Sequence, residues 1–187
     1  RQLHALEGEY GKAKVQAMTE RIRQINPEIL LTSHDAFLEP ENLDTLIPKN
    51  AIVLDATDSV QTKIALAVWA NKYERALVMC GAAGGKSDPT AVRCDDLSRT
   101  EQDALLAKVR QGLRQDHGFS RNLKRKIGIR AIYSHEPRAG VASGGLACSG
   151  YGSTVMVTAA CGLAAAAEVL NLIAAQQVIP SNLSINP

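Results

Sequence analysis

The sequence predicts an α/β fold with a mostly parallel sheet flanked by helices, and three observations carry that expectation. Residues 51–54 and 76–79 are continuous apolar runs rather than alternating ones, which suits strands buried on both faces. A stretch of helical character, residues 62–72, separates them, and strand–helix–strand alternation argues a parallel sheet. Alanine and glycine are plentiful while aromatics make up only 4% of the chain, which favours helices packed closely on a sheet over an aromatic-rich sandwich.

The remaining elements follow in order. Val15, Met18, Ile22 and Ile25 form one stripe of a helix over residues 12–26, which Asn26-Pro27 ends because proline restricts the residue before it. Ile29-Leu30-Leu31 suggests a short strand, and Ala91-Val92-Arg93-Cys94 an edge strand. Leu105, Val109 and Leu113 stand at four-residue steps in a helix over residues 101–115, and residues 129–133 read as another strand. Residues 137–152 are rich in glycine and serine and read as a loop. Residues 153–175 are long and apolar enough to resemble a membrane span, but Thr154, Thr158, Glu168 and Asn171 are awkward in lipid, so a buried core helix without membrane insertion is expected. Residues 176–187 read as an irregular tail.

At 187 residues, 45% hydrophobic and 21% charged, the chain is one ordinary globular domain, and a net charge of +2 does not announce a nucleic-acid binder. Cys80, Cys94, Cys148 and Cys161 form no Cys-x-x-Cys pair and have no histidine at zinc-ligand spacing, so reduced buried thiols in a cytoplasmic protein, without zinc, are expected. The chain opens on Arg1 with no signal-peptide pattern, and the expectation is that it starts inside a longer protein.

The strongest local signal for chemistry is Asp55-Ala56-Thr57-Asp58-Ser59, two carboxylates just past the C-terminal end of a strand. In open α/β sheets that edge binds ligands, and carboxylates there suit Mg²⁺, a hard cation that accompanies nucleotide phosphates. A plain alternative stands beside it: Asp58 caps the next helix. Lys14 and Arg1 are cations that can reach phosphates or stay solvated. Gly81-Ala82-Ala83-Gly84-Gly85 permits close backbone approach but is not a Gly-x-Gly-x-x-Gly fingerprint. Arg114, Arg121, Lys124, Arg125, Lys126 and Arg130 crowd a stretch whose only acid is Asp116, read either as an RNA-backbone contact or as a solvated face.

Together these pieces resemble the ubiquitin-activating-like (ThiF/HesA) adenylyltransferases. Arg1-Gln2 is similar to the end of their Asn-Arg-Gln motif, Gly11-Lys12-Ala13-Lys14-Val15 to their lysine-bearing segment, and Asp55-Ala56-Thr57-Asp58-Ser59 to their Asp-x-x-Asp-Asn/Ser motif. Within that superfamily the branch of tRNA threonylcarbamoyladenosine dehydratases fits best. Asp58-Ser59-Val60 with Lys63 carries that likeness, as do Gly81–Gly85 with Asp88-Pro89-Thr90, Asp95-Asp96-Leu97 with Thr100, Ala107-Lys108-Val109-Arg110, and Cys148-Ser149-Gly150-Tyr151-Gly152-Ser153.

The resemblance implies a Rossmann-like domain of which residues 1–175 are the C-terminal part, the first βαβ unit and its Gly loop lying upstream, so the expectation is that the chain as given binds ATP poorly or not at all and is inactive alone. It implies an ATP site of Arg1, Gln2, Lys14, Asp55, Asp58 and Ser59, with Arg1, Lys14 and Asp58 catalytic and Asp58 on Mg²⁺. It implies ATP-dependent cyclisation of threonylcarbamoyladenosine in tRNA through an acyl-adenylate, by a homodimer. The basic stretch then gains a role as a tRNA contact. Cys148 is read as a packed thiol, with a persulfide or acyl-carrier role, and hence a sulfur-relay protein partner, as the alternative. Two rivals remain: an adenylyltransferase for a ubiquitin-like sulfur carrier, whose relatives typically carry paired Cys-x-x-Cys motifs, and a non-catalytic interaction module. A nicotinamide dehydrogenase shares the α/β pattern but explains neither Asp55 and Asp58 nor Lys14.

Overall fold

The computed structural model describes residues 6–137 and 152–177. Four strands, β1 (Val53–Asp55), β2 (Leu77–Cys80), β3 (Val92–Asp96) and β4 (Arg130–Ser134), form one sheet in the order β1-β2-β4-β3. β1, β2 and β4 run parallel, and β3 lies antiparallel to β4 at the edge. The helices are α1 (Lys14–Ile25), α2 (Leu43–Leu46), α3 (Val60–Lys72), α4 (Ala104–Asp116) and α5 (Val155–Gln177). The expected α/β architecture is therefore present, with β3 as the expected edge strand.

Successive strand residues point to opposite faces, and that alternation builds two cores. Leu77, Met79, Ala131 and Tyr133 meet Leu66 and Trp69 of α3 and Leu106, Val109 and Leu113 of α4. On the other face Val78 and Ile132 meet Ala165, Cys161 and Leu172 of α5. α3 and α4 cross closely at Gly112, where an added Cβ would lie 2.5 Å from Ile64 Cδ1. Asp44 of α2 is pinned to α3 by Trp69 Nε1–H at 3.0 Å and the Tyr73 hydroxyl at 3.0 Å.

Three expectations change. Ile29-Leu30-Leu31 forms no strand, and Leu30 is 100% exposed. A strand needs a ladder partner, and no described strand lies beside this run. α1 forms as predicted, but its stripe is not covered: only Ala17 is buried, and Met18 and Ile25 are exposed. α5 packs one face on the sheet through Val157 and Ala165, both buried, so it is a half-covered helix, not a fully buried one. Its other face leaves Met156, Leu163 (73% exposed) and Leu170 in solvent.

Candidate functional site

β1 ends on Asp55, and the chain turns there into α3. Asp55 is buried and its two oxygens are divided. Oδ1 accepts the Thr57 N–H at 2.9 Å and the Thr57 hydroxyl at 2.8 Å. Oδ2 meets Lys63 Nζ at 2.9 Å, and Lys63 also donates to the Cys80 carbonyl at 2.7 Å. Lys63 thereby ties the C-terminal ends of β1 and β2 together. A buried charge pair needs such extra hydrogen bonds to offset its desolvation. Asp55 holds the loop rather than facing a ligand.

Ser59, not Asp58, caps α3: its side-chain oxygen accepts the Thr62 N–H at 3.2 Å. Asp58 is exposed and, among the described residues, makes no hydrogen bond or ion pair. The capping alternative is thus taken by its neighbour, and the Asp58 carboxylate is left free at the carboxyl edge of the sheet. Lys14 stands exposed at the start of α1, also without a hydrogen bond or ion pair among the described residues. No contact joins Lys14 to Asp58. Arg1, Gln2 and Cys148 lie outside the described residues.

The loop after β2 is braced from beneath. Asp103 caps α4 through the Leu106 N–H at 2.9 Å and also accepts the Ala82 N–H at 2.8 Å. A Cβ on Gly81 would collide with the Asp103 carboxylate, which explains the glycine. Buried Lys86 donates to the carbonyls of Gln102 at 3.0 Å and Ser134 at 2.5 Å. Lys86 and Asp103 went unnoticed in the sequence. Their signal was a lysine inside a glycine-rich turn and an aspartate just before an apolar helix.

The basic stretch divides into three environments. Arg121, Lys124, Arg125 and Lys126 are exposed in the loop before β4. Arg114 is half-buried on α4, with Nε and Nη2 enclosed and unpartnered. Arg130 is engaged on the α5 side of the sheet, donating to Glu168 Oε2 at 3.0 Å and to Cys94 Sγ at 2.9 Å. The ion pair with Glu168 holds the Arg130 guanidinium above its usual range. Burial pushes the Cys80 and Cys94 thiols up to about 11 and raises Cys161 as well.

The carboxylate site also fits a divalent cation by its chemistry. Mg²⁺ characteristically binds one or two carboxylates plus substrate phosphates and keeps several waters. A single unpaired Asp58 is compatible with that demand, and no cluster of three or more His, Cys, Asp or Glu is found among the described residues.

Comparison with known proteins gives the family of the chain. The model of the ThiF family matches residues 1–186. A tRNA threonylcarbamoyladenosine dehydratase of Haemophilus influenzae is 39% identical over 180 residues, covering 91% of this chain and 69% of the relative. The Escherichia coli K12 protein of the same name is 39% identical over 186 residues, with coverages of 91% and 69%. Among solved structures, TcdA (CsdL) superposes with a TM-score of 0.86 at 40% identity, covering 95% of this chain and 71% of that one. The E. coli dehydratase in complex with ATP gives a TM-score of 0.85 at 38% identity, over 97% and 72% of the two chains. This chain belongs to the ThiF family, on its tRNA threonylcarbamoyladenosine dehydratase branch.

Proposed function

We propose that the protein catalyses the ATP-dependent dehydration of threonylcarbamoyladenosine in tRNA, with residues 1–175 forming part of a single adenylyltransferase-type domain. The observation that carries this reading is the freed Asp58 carboxylate at the strand edge, with Asp55 neutralised by Lys63 beneath it and Ser59 occupied as the cap. The relatives' activity and the ATP complex of the E. coli protein support it.

The chemistry needs activation because a carboxylate oxygen leaves poorly. An oxygen of the threonyl carboxylate attacks the α-phosphorus of ATP, and pyrophosphate departs. The carbamoyl oxygen then attacks the activated carbonyl carbon, AMP leaves, and loss of the ureido N–H proton gives a cyclic oxazolone. The net change is removal of one water. Mg²⁺, when bound, would offset charge on the phosphates. Asp58 would hold it, while Lys14, Arg1 and Gln2 would contact the phosphates and Asp55 and Ser59 would keep the loop in shape. Cations aimed at charge that grows during the reaction are what lower the barrier.

Homodimerisation and a cytoplasmic setting complete the proposal. The outer face of α5 carries no charged side chain, and a second copy would cover it in an isologous contact. Cys148 remains the candidate thiol for a sulfur-relay partner.

The test incubates the protein with tRNA bearing threonylcarbamoyladenosine, ATP and Mg²⁺, then measures the nucleosides by mass spectrometry. The expected result is a nucleoside lighter by one water, with AMP and pyrophosphate released in step. No mass loss while ATP is bound would end the reading.

A further inference from the structure

We propose that the loop between α4 and β4 is a second RNA contact, on the sheet edge opposite the reaction site, gripping tRNA backbone away from the modified nucleotide. The inference rests on the tRNA substrate proposed above and adds where on the protein a remote part of that RNA lies.

Topology places the two sites apart. β4 runs parallel to β2, and β2 to β1. The residues before β4 therefore lie at the amino edge of these strands, whereas Asp58 follows the carboxyl end of β1. Five residues of β4 at about 3.3 Å each put roughly 16 Å of strand between the edges. The Asp96–Arg130 pairing fixes the loop's exit at that amino edge.

The loop is basic and free to bind. Arg121, Lys124, Arg125 and Lys126 are exposed and have no hydrogen bond or ion pair from their side chains among the described residues. Residues 117–135 contain no aspartate or glutamate. Four cations within six residues, unneutralised by their neighbours, suit the regular negative charge of a phosphate backbone.

The loop is also held in shape before anything binds. Asp96 accepts the Ile127 N–H at 2.9 Å and the Gly128 N–H at 2.7 Å. The Ser120 hydroxyl oxygen accepts the Asn122 N–H at 3.2 Å, and Asn122 Oδ1 accepts the Lys124 N–H at 3.0 Å. A further backbone bond runs from the Arg125 N–H to the Asn122 carbonyl at 3.1 Å. Backbone order lowers the conformational cost of docking a polyanion.

The experiment compares the protein with a variant carrying Arg121→Gln, Lys124→Gln, Arg125→Gln and Lys126→Gln. Each is given intact tRNA and a short stem-loop excised around the modified nucleotide, and affinity and turnover are measured over a range of salt. On intact tRNA the variant should bind about 10- to 100-fold more weakly, with its salt slope lower by about 3 and kcat within about twofold. On the stem-loop the two proteins should be indistinguishable. An equal loss on both RNAs, or no loss on either, overturns the proposal. If neither RNA is dehydrated by the unaltered protein, the reaction assigned above fails, while the affinity comparison still decides where RNA binds.

Discussion

Lys63 Nζ lies 2.9 Å from Asp55 Oδ2, and neither side chain has any exposure to solvent. A charged pair sealed beneath the edge of a sheet is costly unless every polar atom is used. Here the Cys80 carbonyl and Thr57 take up bonds on either side. Removing one partner leaves the other charge buried and alone, at about 3–5 kcal/mol. Lys63→Met should therefore lower unfolding free energy by about that much in a urea titration. Pairing it with Asp55→Asn should recover most of the stability. A single-variant loss under about 1 kcal/mol would mean that the pair does not hold the edge together.

Asp58 and Ser59 are adjacent but differ in what they do, and substitution should separate them. Asp58→Asn removes a carboxylate that supports no described contact. It should cut ATP-dependent turnover about 100-fold or more while leaving the melting temperature nearly unchanged. Ser59→Ala removes the cap of α3 and should cost about 1 kcal/mol of stability. Reversed behaviour, with Asp58→Asn destabilising and still active, would move the cap to Asp58 and retire the metal assignment.

That distinction marks the limit of the sequence. β2, α3 and α4 were legible because burial imposes a pattern: continuous apolarity at residues 76–79, and four-residue steps at Leu105, Val109 and Leu113. The cap was not legible, since aspartate and serine both cap well and the choice depends on where the helix starts to within one residue. Lys63 enters the sequence reading only through its likeness to relatives beside Asp58-Ser59-Val60, and its partner on β1 becomes evident only once the strand and helix pack. Ile29-Leu30-Leu31 had the composition of a strand without a neighbour to pair with. The basic stretch looked continuous along the chain, yet folding sends Arg130 toward α5 while Arg121 to Lys126 stay in the loop.

The described cysteines should be slow to alkylate. Burial raises the Cys80 and Cys94 thiols to about 11, against the opposing pull of Lys63 on one and Arg130 on the other. At pH 8 a thiol with a pKa of 11 is thiolate in about one molecule in a thousand, against about one in four for a free cysteine. Iodoacetamide followed by peptide mapping should modify both at least about 100-fold more slowly than the urea-unfolded protein. Labelling of Cys80 at the unfolded rate would show that β2 opens or that the thiol is not buried.

The outer face of α5 gives a test of self-association. Leu163 and Leu170 are exposed on a helix whose opposite side is packed on the sheet. Leu163→Glu would place a charge where a second copy is proposed to sit, yet in the separated chain it remains in water. Sedimentation should show loss of dimer at micromolar protein with the melting temperature of the separated chain preserved. A dimer of unchanged affinity would put the interface elsewhere.

Asp96 links pH to the basic loop. Burial pushes its carboxyl up, but hydrogen bonds from Ser98, Ile127 and Gly128 outweigh this and hold it below the usual carboxylate range. A group depressed on folding contributes stability that is present above its unfolded value, near 4, and is lost as pH falls through its lower folded value. Asp96→Asn keeps one acceptor oxygen but puts an amide donor where the other accepted the Gly128 N–H. At pH 7 the variant should be less stable by about 1–3 kcal/mol, and amide exchange at Ile127 and Gly128 should quicken. Because protonation removes the same advantage from the unaltered protein, the gap between the two should narrow as pH drops from about 5 toward 3. A gap that stays constant over that interval would show that the ionised carboxylate is not what braces the loop, and the order of the basic segment would need another source.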